Sequence, residues 1–242
     1  ASMSQEIDYL HLPRGTIIAN KYEIKEKLVP RSNLSIIYLA LDLTTKEKVV
    51  IKEFFPQNLV LRDLDAKTVV LKNSRDENLF AEEKDSFLTE GKIMQKLAGR
   101  CIAKCYQFFK ENNTAYLVLE YYRGQNLAQY LAEEDLDWQQ FLDQIFLPLL
   151  KTVEKMHQQG YIHRDIKPAN IIYGDRLKLI DFGSAIKWQK NEYKKRVLTP
   201  GYSPLEFYST RTKQGPSSDV YSLAAVLYFY LTGKIPLAAN QR

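Results

Sequence analysis

His163-Arg164-Asp165-Ile166-Lys167-Pro168-Ala169-Asn170 is followed, eleven positions after its last residue, by Asp181-Phe182-Gly183. A carboxylate such as Asp165 can accept a hydroxyl proton, and Lys167 can neutralise an anionic group in transit. Asn170 and Asp181 offer hard oxygen ligands of the kind magnesium takes. Upstream, residues 138–159 form a long, strongly apolar stretch that stops at Gly160, a natural helix end, so these motifs open a loop directly after a helix.

In these motifs the chain resembles the protein kinase family, specifically its bacterial serine/threonine branch. The resemblance implies an α+β, bilobal fold: a small antiparallel-sheet lobe carrying one main helix, and a larger, mainly helical lobe. ATP would lie in the interlobe cleft with Mg2+. Asp165 would be the catalytic base, Lys167 would stabilise the moving phosphoryl group, and Asn170 and Asp181 would hold the metal. Val49-Val50-Ile51-Lys52 looks like the family's third-strand motif, whose lysine binds phosphates and pairs with a helix glutamate. Glu90 falls where that glutamate would sit, with Glu82 and Glu83 as weaker alternatives. Leu119 would be the gatekeeper, the backbone of Glu120 and Tyr122 would read the adenine edge, and Val50, Ile37, Ile172 and Ile180 would sandwich the ring. Plain core packing explains these apolar residues equally well. Lys167, and Thr199 in Thr199-Pro200-Gly201-Tyr202, resemble serine/threonine rather than tyrosine kinases, with Thr199 in the loop that cradles the acceptor hydroxyl. Glu206 stands in place of the family's Ala-Pro-Glu acid, and Asp219 would brace the catalytic loop.

The 242 residues suffice for one large domain or two lobes, and 26% charged with 45% hydrophobic residues is ordinary for a globular chain. A net charge of +5 comes from Lys and Arg scattered among Asp and Glu, which does not point to nucleic acid. Cys101 and Cys105 read as reduced structural thiols, and His11, His157 and His163 are too dispersed for a zinc set. No apolar run reaches membrane-spanning length, so a cytoplasmic location is expected.

Residues 22–29, 34–41 and 49–54 read as strands, residues 80–97 as an amphipathic helix, and residues 106–109 and 115–121 as two more strands around a Glu111-Asn112-Asn113 turn. Beyond Arg123-Gly124 the pattern turns helical, with a last helix over 218–232 ending at Gly233. Residues 1–121 are therefore assigned to the smaller lobe and 122–242 to the larger, which by the resemblance lacks its final helices and the arginine partner of Glu206. Residues 56–79 exceed what the family needs. Leu59-Val60-Leu61 and Val69-Val70-Leu71 could pair there as a hairpin, read first as a surface insertion and second as a regulatory or docking element.

Two features depart from the family. The phosphate-covering segment, Leu28-Val29-Pro30-Arg31-Ser32-Asn33-Leu34-Ser35-Ile36-Ile37-Tyr38, contains no glycine. Pro30, Ser32 and Ser35 fill the glycine places, and the hydroxyls of Ser32 and Ser35 could partly replace the lost backbone contacts to phosphate. Between Ser184 and Thr199 there is no serine or threonine, and Tyr193 is the sole hydroxyl. Arg164 pairs with a loop phosphate in kinases switched that way, so serine/threonine phosphorylation of this stretch is not expected to be the switch. Lys194-Lys195-Arg196 reads as a solvated face before it reads as a selector of acidic substrates. The expected function is a serine/threonine protein kinase acting on protein substrates, with regulatory domains possible outside this chain. The alternative is a pseudokinase, a nucleotide-binding or scaffolding signalling module. A small-molecule phosphotransferase sharing the fold fits less well, because residues 199–206 resemble a peptide-docking loop.

Overall fold

The structure is a computed structural model; it describes residues 10–190, 197–209 and 212–241, with the side chains of residues 29–32 and 190 outside that description. Two compact units emerge: the chain up to Gln95 with Lys104–Tyr121, and Lys96–Ala103 with the chain from Tyr122 onward. The sequence boundary places Lys96–Ala103 with the smaller lobe. Its backbone bonds explain its place with the second unit: Leu179 N–H donates to the Cys101 carbonyl at 2.7 Å, and Ala103 N–H donates to the Leu179 carbonyl.

The first unit is a six-stranded antiparallel sheet. Its strands are β1 (Ile17–Ile18), β2 (Tyr22–Ser32), β3 (Ser35–Asp42), β4 (Lys48–Phe54), β7 (Cys105–Glu111) and β8 (Thr114–Glu120), in the order β1-β2-β3-β4-β8-β7. Strand alternation sorts the two faces. Ile36, Tyr38, Ala40, Val49 and Ile51 are buried on one, while Ile37, Val50 and Lys52 lie half-buried on the other. The turn between β7 and β8 is tighter than the sequence reading by one residue: Glu111 still pairs with Thr114, and Asn112 and Asn113 alone turn the chain, both with positive φ, which a two-residue hairpin loop requires and asparagine tolerates.

The extra residues form the hairpin β5 (Val60–Arg62) and β6 (Val69–Leu71), as the sequence predicts, and helix α1 (Glu77–Lys96) follows. The hairpin is more than a surface insertion. Val60 and Val69 are buried, Val69 N–H donates to the Asn112 carbonyl, and Asn113 Nδ2 donates to the Val69 carbonyl. Arg62 reaches under the sheet to Glu53, whose carboxylate is 0% exposed. The same carboxylate accepts the hydroxyls of Tyr38 at 2.9 Å and Tyr116 at 2.7 Å, and Arg62 also donates to the Leu10 carbonyl, tying in the segment ahead of β1. Burial alone would lower the Arg62 guanidinium, but the Glu53 carboxylate outweighs it and holds the group above its usual range.

The second unit is mainly helical. It contains β9 (Gly124–Asn126), α2 (Leu127–Glu133), α3 (Trp138–Phe141), α4 (Leu147–Gln158), β10 (Tyr161–Ile162), β11 (Ile171–Gly174), β12 (Lys178–Leu179), β13 (Ile186–Lys187) and α5 (Pro216–Thr232). Where the sequence predicts one helix over 138–159, a π turn, Leu142–Phe146, separates α3 from α4. The physical reason is Pro148, which has no N–H for the carbonyl one turn back, so the ladder widens around it. Buried Phe141, Ile145, Leu149, Val153, Met156 and Val226 make the helical core. Both cysteines are free, and burial pushes the Cys105 thiol up to about 12, which makes it a packing group rather than a nucleophile. Among the described residues no helix is long and apolar enough to cross a membrane.

Candidate active site

In the first unit, Lys52 stands on β4 opposite Ile37 of β3 and Leu117 of β8. Its ammonium bonds both carboxylate oxygens of Glu90, at 3.0 and 2.9 Å. Glu90 is buried on α1, whereas Glu82 is exposed and Glu83 half-buried. Gly91 explains how the helix comes so close. A Cβ there would stand 2.9 Å from Leu117 Cδ2 and 3.0 Å from Phe108, so a larger residue would push α1 off the sheet and draw Glu90 away from Lys52.

Val50 pairs with Leu119, and Ile37 pairs with Lys52, so all four share one sheet face. Glu120 donates its backbone N–H to the Lys104 carbonyl at 2.9 Å, so that amide is engaged within the sheet. Ser35 is 2% exposed and pairs across to Phe54. The side chains of Pro30, Arg31 and Ser32 lie outside the described residues.

In the second unit the catalytic-loop residues converge. Asp219, 0% exposed in the first turn of α5, accepts the backbone N–H groups of His163 and Arg164, each at 2.9 Å. His157 of α4 also meets the Asp219 carboxylate, at 2.8 Å. This buried anion holds the loop on two of its own amides, which is why Arg164 can keep a φ of +70° that a non-glycine residue rarely adopts. His163 Nδ1 accepts the Asp165 N–H, so its Nε2 is the protonated nitrogen and donates to the Ile180 carbonyl. Asp165 is thus braced from behind.

Its carboxylate meets three of the residues singled out in the sequence. Asn170 Nδ2 donates to Asp165 Oδ2 at 3.0 Å, the Thr199 hydroxyl donates to Oδ1 at 3.0 Å, and Lys167 Nζ lies 3.4 Å from Oδ1 and 3.2 Å from Thr199 Oγ1. Asn170 spends its amide nitrogen on Asp165, so its side-chain oxygen is the atom with which it could ligate a metal. The β11–β12 hairpin carries Asn170 at one end and Asp181 beyond the other, with Ile180 N–H bonded to the Asn170 carbonyl at 3.0 Å. Asp181 has φ +60°, and its carboxylate accepts the Gly183 N–H. One amide oxygen and one carboxylate fit magnesium, which is usually bound by one or two protein groups while phosphates and water complete its shell. Ile172 and Ile180 are buried beside this hairpin. Glu206 accepts the Ser218 hydroxyl at 2.7 Å.

A family model described as "Protein kinase domain" matches residues 57–242. The chain belongs to the protein kinase family. The match begins after β4, so the glycine-free loop and Lys52 precede the matched residues. Mouse citron Rho-interacting kinase is 31% identical over 209 residues, 81% of this chain and 10% of that protein. A protein named as a probable serine/threonine-protein kinase of Clostridium acetobutylicum is 27% identical over 236 residues, 93% of this chain and 32% of that protein. This kinase domain therefore spans a third or less of the length of these relatives. Among solved structures, one described as the apo form of PpkA-294 superposes with a TM-score of 0.82 at 30% identity, covering 96% of this chain and 82% of the other. The kinase fold predicted from His163–Asn170 and Asp181–Gly183 is thereby shown.

Proposed function

We propose that this kinase domain transfers the γ-phosphoryl group of ATP to serine or threonine hydroxyls of protein substrates. The observation that carries this reading is the Thr199 hydroxyl donating to Asp165 beside the Lys167 ammonium. A carboxylate that already takes a hydrogen bond from an aliphatic hydroxyl can take the acceptor's proton as its oxygen bonds the γ-phosphorus and the bond to the departing ADP oxygen breaks. Lys167 would offset charge on the moving group. Lys52, oriented by Glu90, would hold the α- and β-phosphates. The half-buried face with Val50 and Ile37, together with Ile172, would receive the adenine, read by the Glu120 carbonyl and Tyr122 backbone. Asn170 and Asp181 would hold Mg2+, which neutralises phosphate charge when bound.

The test is transfer of labelled phosphate from Mg-ATP to a protein containing serine, threonine and tyrosine and, in parallel, to its analogue with every serine and threonine replaced by alanine or valine and the tyrosines kept. Incorporation confined to serine and threonine is expected, and Lys52→Met should lower it by about 10²-fold, the scale for losing one preorganised charge contact. A pseudokinase is the second reading, favoured by the absence of glycine from residues 28–38, where the family places its phosphate-covering loop. Nucleotide binding by calorimetry without any transfer would establish it.

A further inference from the structure

Arg164 is a buried guanidinium held, among the described residues, by neutral oxygens. Its Nε donates to the Ser184 carbonyl at 2.6 Å, and its Nη1 donates to Gln214 Oε1 at 3.2 Å. These two bonds join three segments: the catalytic loop, the chain just past Asp181-Phe182-Gly183, and the chain entering α5 two residues before Pro216. Asp219 then closes the circuit by accepting the Arg164 N–H from the first turn of that same helix. Burial lowers the Arg164 guanidinium, and the nearby Asp219 and Asp165 carboxylates oppose that effect. The charge stays in place because several fixed oxygens surround it.

A guanidinium in this position is a ready receiver for a phosphoryl group on the loop that follows Ser184. Yet that loop carries no serine or threonine before Thr199, and Tyr193 lies outside the described residues. An amide oxygen differs from a phosphate in being permanent. We infer that Gln214 is a positioning residue that holds Arg164, and with it Asp165 and the Ser184 backbone, in working geometry without loop phosphorylation. This rests on the kinase reading above. Gln214 acts through Arg164 and touches no reacting atom.

The experiment uses the full chain, treated with phosphatase and shown by mass spectrometry to carry no phosphate. Gln214→Leu should lower kcat by about tenfold, as misplacement of a reacting geometry does, with KM for ATP within about twofold. Gln214→Glu, with an acceptor at the same reach, should bring the rate back to within about threefold of the parent. A merely structural role would instead lower nucleotide affinity along with kcat and would not be rescued. Hydrogen exchange at the backbone amides of Ala185, Ile186 and Lys187 supplies a readout independent of transfer. Faster exchange is expected in the leucine variant and parent-like exchange in the glutamate variant. If the phosphate-free parent is inactive and gains activity on phosphorylation of Tyr193, or if the leucine variant matches the parent in both rate and exchange, the inference is overturned. If no preparation transfers phosphate, the kinase reading fails, and the exchange data alone decide whether the Gln214 tether exists.

Discussion

Asparagine in place of Asp165 is expected to slow the chemical step by about 10²- to 10⁴-fold, the range for losing a general base, while Mg-ATP binds as it does to the parent. The geometry explains both halves. Asp165 accepts from Thr199 on one oxygen and from Asn170 on the other. An asparagine has the same shape but one acceptor oxygen, so it must forfeit one of these bonds and cannot take a proton from an acceptor hydroxyl. The brace behind it, through the Asp165 N–H and His163, is backbone and survives. Single-turnover rates and calorimetric titration with Mg-ATP measure the two quantities separately. Undiminished single-turnover chemistry would remove Asp165 from the role of base, and a parallel loss of nucleotide affinity would mean that the substitution had disturbed the loop itself.

Much of this site was legible because its groups are close in sequence. Asp165, Lys167 and Asn170 fall within six residues, and a loop that short, pinned by Asp219, has few ways to arrange them. The strands were legible for a different reason, the period-two alternation that sends Val49 and Ile51 inward and Val50 and Lys52 the other way. Both signals are local. Gln214 was missed because nothing near it in sequence marks it. Its partner is 50 residues away, and a glutamine before a proline-led helix reads as a solvated linker. Arg62 was missed in the same manner, as one charge in a polar hairpin. A usable signal did exist in its partner, since Glu53 continues the inward series Val49, Ile51, Glu53, and a carboxylate on the buried face of a strand demands a cation from elsewhere. The sequence does not say from where, because the hairpin's fold back over the sheet determines that.

That demand makes Arg62 a position where stability is exposed to a single change. Arg62→Met keeps the bulk of the side chain but strands the Glu53 carboxylate, so unfolding in urea should lose about 3–5 kcal/mol, the usual cost of breaking one side of a buried ion pair. Arg62 bonds both Glu53 oxygens, one of them at 2.9 Å, and its side chain is 1% exposed, so water cannot take its place. The phenols of Tyr38 and Tyr116 donate to the same carboxylate and remain, but two neutral donors do not offset a buried charge. A paired substitution separates charge from packing. Arg62→Met with Glu53→Gln leaves a neutral acceptor for the tyrosines and no stranded anion, and it should recover a substantial part of the loss. The consequence for function follows from chain connectivity, since Glu53 is the residue after Lys52 and fixes the register of β4 from the opposite face. Loosening it should weaken the bond between Lys52 and Glu90, with a higher KM for ATP in Arg62→Met than in the double variant at a temperature where both are folded. An Arg62→Met protein within about 1 kcal/mol of the parent, less than the typical cost of stranding a buried charge, would show that the carboxylate finds another partner and that the hairpin is the dispensable insertion its sequence first implies.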